Sequence, residues 1–299
     1  MDKTLRGAAE MTAAMTILGT IGLFVVLSGE GAIDVVFWRC AFGALTLLVI
    51  CSAQGLLRGQ LTLKTLLMAV LGGFAIVVNW AMLFSAYGEA SIGVATAVYN
   101  TQPFILVGFG ALFLRERISS AKLGWLAFAF FGVLLIILAK PATADYIGSN
   151  YALGIALALS AAFFWAVAAL LTKKLTGTPP QLIALIQVSV GILMLAPFVS
   201  WSALPQSGAA WAALATLGIV HTGIMYVLMY GAVQKLPTYL QGAFSFLYPI
   251  VAILVDYVAF GHQLQVPQLI GAAAIVLSAM GLTFGWKLSI GCRNGECVS

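Results

Sequence analysis

Residues 152–171, ALGIALALSAAFFWAVAALL, form an unbroken run that carries one serine and no charged residue. A helix of about 20 apolar residues crosses the roughly 30 Å hydrocarbon layer of a bilayer. Residues 269–284 are also apolar on every face, whereas the strands of a membrane barrel alternate apolar and polar side chains over about 10 residues. Both stretches therefore predict transmembrane helices, which satisfy their own backbone groups inside lipid.

The composition of the whole chain agrees with these two stretches. Of its 299 residues, 62% are hydrophobic and 8% are charged, while soluble domains carry roughly 25% charged residues. A water-soluble fold of this size could not cover its surface with so few charges. The predicted fold class is an all-α membrane protein with about ten transmembrane helices.

The predicted spans are separated by short breaks that are rich in glycine, proline and charged residues. None of these breaks is long enough to hold a soluble domain. The spans fall at residues 7–28, 33–53, 65–87, 91–113, 119–139, 151–174, 181–202, 209–233, 238–260 and 267–287.

The basic residues predict the orientation of the chain. With both termini in the cytoplasm, twelve lysines and arginines lie on the inner side, and only Arg39 and Lys140 lie on the outer side. This distribution follows the positive-inside rule, and the opposite orientation would reverse it. The inner set is Lys3, Arg6, Arg58, Lys64, Arg115, Arg117, Lys122, Lys173, Lys174, Lys235, Lys287 and Arg293.

The two halves of the chain repeat each other. Because each half has five spans, an odd number, the halves must lie in the membrane in opposite senses, as in many secondary transporters. The matched positions are Arg39 with Gln187, Gly43 with Gly191, Asn79 with Thr222, Tyr87-Gly88 with Tyr230-Gly231, and Pro103 with Pro249. The predicted units are residues 1–144, residues 145–288 as the inverted second repeat, and a cytoplasmic tail at residues 289–299.

One stretch of the first half also resembles a known family. Pro103, the segment Leu112-Phe113-Leu114-Arg115-Glu116-Arg117, and Gly124 and Gly132 resemble the EamA-type drug/metabolite transporter family. Within that family, the aromatic-rich spans are similar to the YddG-type aromatic amino acid exporters. The resemblance implies export of a small molecule across the bacterial inner membrane. The second half departs from the pattern, since His262 stands where the family usually has glutamate.

Polar and aromatic residues near the middle of the spans are the candidates for binding substrate. Such groups avoid lipid, so they should face the bundle interior or a wet cavity. Amides and hydroxyls could hold the polar ends of an amphipathic substrate, and aromatic rings could stack on its side chain. Hydrogen bonding between helices is the competing role. The candidates are Asn79, Trp80, Tyr99, Asn100, Gln102, Trp165, His221, Tyr226 and Tyr248.

For four residues the sequence suggests specific roles. Pro103 and Pro249 lie near the middle of equivalent spans, where proline kinks a helix, and they could act as symmetric gates or as static kinks. His221 could relay a proton, or it could be a neutral, hydrogen-bonded histidine. Arg39, near the start of its span, is expected to snorkel or to pair with Asp34 or Glu30, with a substrate carboxylate as the alternative partner.

The remaining functional classes lack their sequence signatures. No metal-ligand, P-loop or nucleophile-elbow motif is found, so we expect neither an enzyme nor a metal or other cofactor. The basic residues are dispersed over loops, which does not suit nucleic acid. Cys40 and Cys51 should pack as small hydrophobic groups. We therefore expect a transporter that works in the bilayer as a monomer, with aromatic amino acids as the first substrates. Non-aromatic amino acids, nucleosides and cationic drugs remain alternatives, and a channel is less expected.

Overall fold

The computed structural model of the chain is a bundle of α-helices. In the part of the chain that it describes, the secondary structure is helix and turn, without a β-strand. The described residues are 3–58, 61–102, 104–105, 108–109, 120–138, 150–175, 177–233, 235, 244, 247–261 and 265–286.

In the described residues the helices follow the predicted spans, while much of the later fourth span and the start of the ninth lie outside those residues. In chain order the helices are α1 (Lys3–Gly19), α2 (Ile21–Ser28), α3 (Ala32–Ala53), α4 (Leu63–Ala90), α5 (Ile92–Tyr99), α6 (Ser120–Leu138), α7 (Tyr151–Lys173), α8 (Pro180–Leu195), α9 (Gly208–Gly218), α10 (Met225–Val233), α11 (Leu247–Phe260) and α12 (Val266–Phe284). Short 3-10 turns at Leu56–Arg58 and Ala196–Phe198 follow α3 and α8, and a π-helical segment at Ile219–Ile224 joins α9 to α10.

Six of the described helical segments are long and apolar enough to cross a membrane. They are Leu5–Ser28, Ala32–Ala53, Leu63–Ala90, Tyr151–Thr172, Pro180–Phe198 and Gly208–Met229. Ile250–Phe260 and Val266–Ser278 are shorter apolar helices. Large apolar side chains such as Leu193 and Val258 point outward and are more than 70% exposed. An apolar exterior of this kind suits a bilayer as solvent and confirms the predicted fold class.

Local signals in the sequence fix where the helices begin and end. Ser207 Oγ accepts the backbone N–H of Ala210, and Asn150 Oδ1 accepts that of Leu153, so each side chain satisfies one free donor of the helix that follows. Gly29 ends α2 with a φ of 67°, a left-handed conformation that favours glycine. The sharpest connection is Ser91, which also has a positive φ and links α4 to α5 alone.

Three spans that we predicted to be continuous contain interruptions, one of which is the turn at Asn100 and Thr101 that follows α5 within the fourth span. The first span breaks at Thr20, between α1 and α2. The eighth span widens into the π-helical segment, where the side chains of His221 and Thr222 bond the carbonyl oxygens five residues earlier, those of Thr216 and Leu217. These bonds occupy carbonyls that an α-helix would use for its own backbone, which accounts for the local widening.

The helices of the two halves make equivalent contacts, so the halves are related by an approximate twofold axis. On the axis, α3 packs against α8, α5 against α11, and α6 against α12, which are the equivalent helices of the two halves. Away from the axis, α4 packs against α7 and α8, and the unit formed by α9 and α10 packs in the same way against α1, α2 and α3. Likewise α1 contacts α11, and its counterpart α7 contacts α5. Each half is thus covered mainly by the other half.

Candidate functional site

Arg39 lies at the centre of the contact between the two halves. The residue is only 1% exposed, and its guanidinium carbon lies 4.1 Å from the centre of the Trp80 ring and 5.7 Å from that of Phe84. Its Nε donates a hydrogen bond of 2.9 Å to Thr222 Oγ1 in the second half. Arg39 therefore joins a helix of one half to the π-helical segment of the other through an aromatic and hydroxyl environment.

The expectation that Arg39 snorkels to the interface or pairs with Asp34 or Glu30 is wrong. Asp34 instead accepts hydrogen bonds from the backbone N–H and hydroxyl of Ser200. Among the described residues, no carboxylate oxygen lies within 4.0 Å of the guanidinium, and Arg39 Nη1 has no hydrogen-bond partner. The packing of α3 between α8 and α9 draws the side chain inward, although its position along the helix suggests an outer location.

Asn79 also connects the two halves. It is fully buried, and its Nδ2 donates to the carbonyl oxygen of Ala161 in α7 (2.6 Å) and to Tyr99 Oη (3.2 Å). Because a carbonyl can only accept, the amide nitrogen must face Ala161, which leaves Asn79 Oδ1 as an acceptor without a partner. The amide nitrogen of Asn79 forms hydrogen bonds between helices, which is the role that competes with substrate binding. The amide oxygen has no hydrogen-bond partner and is free to accept one.

Several tyrosines surround Arg39 and Asn79. Tyr87, Tyr99 and Tyr226 lie close enough to Arg39 to interact electrostatically with its guanidinium. Tyr248 lies beside Tyr87 and Tyr99. The structure thus brings together five of the predicted site residues, Asn79, Trp80, Tyr99, Tyr226 and Tyr248.

Phe84, Tyr87 and Thr222 are not among the site candidates predicted from the sequence, and for Arg39 a substrate carboxylate is only the alternative partner there. Tyr87 could have been found, because its match with Tyr230 in the repeat marks the position. We call the set the central cluster: Arg39, Asn79, Trp80, Phe84, Tyr87, Tyr99, Thr222, Tyr226 and Tyr248.

His221 makes its hydrogen bonds in a polar contact between the first and eighth spans, and it lies within electrostatic range of Arg39. Its Nε2 lies 2.9 Å from Thr20 Oγ1, its Nδ1 lies 3.2 Å from the carbonyl oxygen of Thr216, and Phe24 packs on its ring. A neutral imidazole protonated on Nδ1 satisfies both bonds, with the Thr20 hydroxyl donating to Nε2. The same hydroxyl is 2.8 Å from the carbonyl oxygen of Ile17, so its single proton serves one acceptor at a time. Both ring nitrogens of His221 have a hydrogen-bond partner within the helix bundle, which favours the structural role of this residue.

The other predicted site residues have no described contact with the central cluster. Asn100 Nδ2 bonds the carbonyl oxygen of Thr96 within its own helix (2.7 Å). Gln102 is partly buried and its Oε1 lacks a partner, and Trp165 packs partly buried against the apolar core. Pro249 lies in α11, and Pro103 lies outside the described residues.

Polar bridges join the halves toward both ends of the bundle. At one end, Lys235 Nζ donates to Glu10 Oε2. At the other end, Asp34 bonds Ser200, and the Trp38 and Trp211 rings meet edge to face with centroids 4.7 Å apart. The central cluster lies deep in the bundle, since all of its members are buried except Tyr226, which is partly buried.

Two segments of the chain, residues 5–138 and 152–284, each match the EamA-like transporter family. The "Uncharacterized transporter YxxF" of Bacillus subtilis is 30% identical over 278 residues, which cover 92% of this chain and 88% of the relative. A "Probable amino-acid metabolite efflux pump" of Salmonella typhimurium is 27% identical over 226 residues, or 70% of this chain and 74% of that protein. A solved structure with 22% identity superposes with a TM-score of 0.64 and covers 94% of this chain and 96% of its own, which shows the same fold.

Proposed function

The chain belongs to the EamA-like transporter family, and on this premise we propose that it exports amphipathic metabolites, with aromatic amino acids as the first substrates, by alternating access. It is a multi-pass membrane protein, and we place it in the bacterial inner membrane with both termini in the cytoplasm, following the positive-inside bias. The name of the Salmonella relative, an amino-acid metabolite efflux pump, supports the substrate class.

The central cluster is the observation that carries this proposal. It combines open hydrogen-bonding groups, Arg39 Nη1 and Asn79 Oδ1, with the aromatic surfaces of Trp80 and Phe84 in one enclosed place. Open polar groups suit the ammonium and carboxylate ends of an amino acid, and aromatic rings suit an aromatic side chain. A purely structural core of a membrane protein would satisfy its buried polar groups internally, because each unpaired one is costly.

Alternating access fits the twofold arrangement of the helices. The cluster lies where the two inverted halves meet, and rocking of one half against the other would expose it to either side in turn. Pro103 and Pro249 are proposed as symmetric gates in the fourth and ninth spans, and replacing each with alanine should slow transport. Unchanged rates in both variants would leave them as static kinks. We further propose that one chain suffices for transport, since both halves of the site come from it.

The proposal is tested by transport in proteoliposomes that contain the purified chain. Efflux of tryptophan, phenylalanine and threonine is compared, with liposomes lacking protein as the blank. Tryptophan and phenylalanine should leave faster than threonine, and Trp80→Leu should slow their efflux. Phe74→Leu is the matched control, because Phe74 lies in the same helix but is half exposed on the outer surface. Equal efflux of all three would refute the aromatic preference, and no efflux of any would refute amino-acid transport.

The orientation of the chain in the membrane is tested by cysteine labelling. Single cysteines placed at residues 58, 173 and 235 in a cysteine-free chain should all react with a membrane-impermeant reagent from the cytoplasmic side only. Reaction from different sides of the membrane would contradict the inverted five-plus-five arrangement on which alternating access depends.

A further inference from the structure

We propose that Arg39 binds the carboxylate group of the substrate, which makes the transporter selective for amino acids over cationic amines of the same shape. This inference rests on the proposed function, because it assigns a chemical role within the same central site. It goes beyond the family, which leaves the charge of the substrate open, and it decides between the amino acids and cationic drugs considered above.

The charge of Arg39 is uncompensated. The guanidinium has five N–H donors in a fixed fork. One of them bonds the Thr222 hydroxyl, and Nη1 has no partner. In the part of the chain that the structure describes, the ion pairs join Glu10 to Arg6 and to Lys235, so Arg39 has no carboxylate of its own. Buried charges in proteins are normally paired, and an unpaired one is destabilising.

The neighbours of Arg39 hold its guanidinium in a fixed orientation. Trp80 lies against the guanidinium, 4.1 Å from its central carbon to the ring centre, while Nε is fixed by Thr222. These contacts hold the planar group in one orientation and leave Nη1 without a hydrogen-bond partner. A carboxylate is the planar acceptor that matches the edge of a guanidinium with two parallel hydrogen bonds. Arg39 is thus already oriented, which lowers the entropic cost of binding.

The charge of Arg39 also determines which ligands the site disfavours. A fixed cation in a poorly solvated position repels a second cation, and no described carboxylate lies near enough to offset it. Asn79 Oδ1 supplies a neutral acceptor for an ammonium group. Arg39 and Asn79 share a neighbour, Tyr99, whose hydroxyl bonds Asn79 and which lies within electrostatic range of Arg39. A zwitterion satisfies both open groups, whereas a simple amine satisfies only the acceptor.

A role for Arg39 as a purely structural link between the halves predicts something different. In that case Arg39 variants would weaken every ligand alike, because the loss would come from the fold and not from the ligand. Discrimination between a carboxylate and its amide is a property that only direct binding produces. The decisive readout is therefore a ratio of two affinities, measured on the same preparation.

The experiment uses the purified full chain and measures ligand-dependent shifts in melting temperature, which report affinity for the folded state. The probes are L-tryptophan and L-tryptophanamide, which differ at the carboxylate. Wild-type protein should bind the amide on the order of 30-fold more weakly, since losing one partner of a buried charged pair typically costs that much or more. Arg39→Gln should lower the affinity for tryptophan by a similar factor and bring the two ligands level, while Arg39→Lys should retain part of the preference.

The control is Gln187→Ala, at the equivalent position of the second half, which should leave the ratio unchanged. Equal affinities of the wild type for both probes, or an unchanged ratio in Arg39→Gln, would overturn the role of Arg39 while leaving amino-acid export in place. If Arg39→Gln does not fold, the wild-type ratio and Arg39→Lys decide. Failure of the wild type to bind tryptophan, phenylalanine or threonine would overturn the proposed function itself.

Discussion

Glu10 and Lys235 form a bridge whose removal should open one end of the bundle. Lys235 Nζ lies 2.5 Å from Glu10 Oε2, and the two side chains are 21% and 16% exposed. Glu10 belongs to the first half and Lys235 follows the eighth span, so the pair closes the seam between α1 and α10. Alternating access opens the site to one side at a time, and we expect this seam to separate when the site faces that side. The ion pair should therefore favour the closed state over the open one.

The expected magnitude follows from the partial exposure of the pair. Ion pairs near the surface contribute about 1 kcal/mol or less, because water and side-chain entropy offset most of the Coulomb attraction. A contribution of about 1 kcal/mol changes the ratio of open to closed states by about fivefold. Either single neutralisation, Glu10→Gln or Lys235→Gln, should give the whole effect. The double variant should give no more, because the interaction is already lost.

The assay is the labelling rate of a buried thiol behind the seam. Ala14 lies one turn beyond Glu10 on α1 and is fully buried, so Ala14→Cys reacts only when the end opens. The chain is placed in nanodiscs with its four native cysteines replaced. Each single variant should label about fivefold faster than the parent, in line with the energy above. Arg6→Gln is the matched control: Arg6 also bonds Glu10 but within one helix, so both partners move together.

Two results would refute the reasoning. If neither single variant changed the labelling rate, the bridge would not contribute to closure. If the double variant labelled about 25-fold faster, as two independent fivefold effects would give, the residues would act separately and not as a pair. Raising the salt concentration gives a further check, since screening should speed labelling of the parent and leave the double variant unchanged.

Substitutions at Gly281, Asn79 and His221 each test one contact between helices. Gly281→Ala should lower stability by about 1–3 kcal/mol in a thermal melt, because its new methyl group meets the Trp125 ring, while Gly88→Ala, with open space around it, should not. Asn79→Ala should lower stability by about 1–3 kcal/mol, because the buried Ala161 carbonyl loses its donor, and Asn79→Asp, which also lacks that donor, should not restore it. His221→Ala should leave any effect of a pH gradient on efflux unchanged, since its ring nitrogens serve helix packing; loss of that effect would restore the proton relay.

The positions of the helices could be predicted from the sequence because the bilayer imposes one strong constraint. A span must be long, apolar and helical, and its ends are marked by glycine, proline and charge. The predicted end of the first span at residue 28 and the predicted start of the sixth at residue 151 match the end of α2 and the start of α7 for this reason. The buried thiols of Cys40 and Cys51 were also predicted correctly, since small apolar groups in such a span pack inward.

The direction of each side chain could not be predicted in the same way. Spans that are apolar on every face carry no polar stripe to show which side meets the partner helices. Arg39, eight residues into α3, has the sequence position of a snorkelling residue, and only the packing of α8 and α9 around it reveals that it is buried. The π-helical segment was missed because its cause, side chains bonding carbonyls five residues earlier, leaves no pattern in composition.

The two halves share a backbone arrangement but not a charge. Arg39 and Gln187 occupy equivalent positions, yet Arg39 reaches Trp80 and Thr222, while Gln187 bonds Thr172 beside Gly72. A fully symmetric site would bind a substrate in two opposite orientations with equal affinity. A single cation removes this degeneracy, because a carboxylate gains more on the side of the first half. The inverted repeat thus provides equivalent paths to both sides of the membrane, and the unmatched charge of Arg39 gives the substrate the same orientation in each.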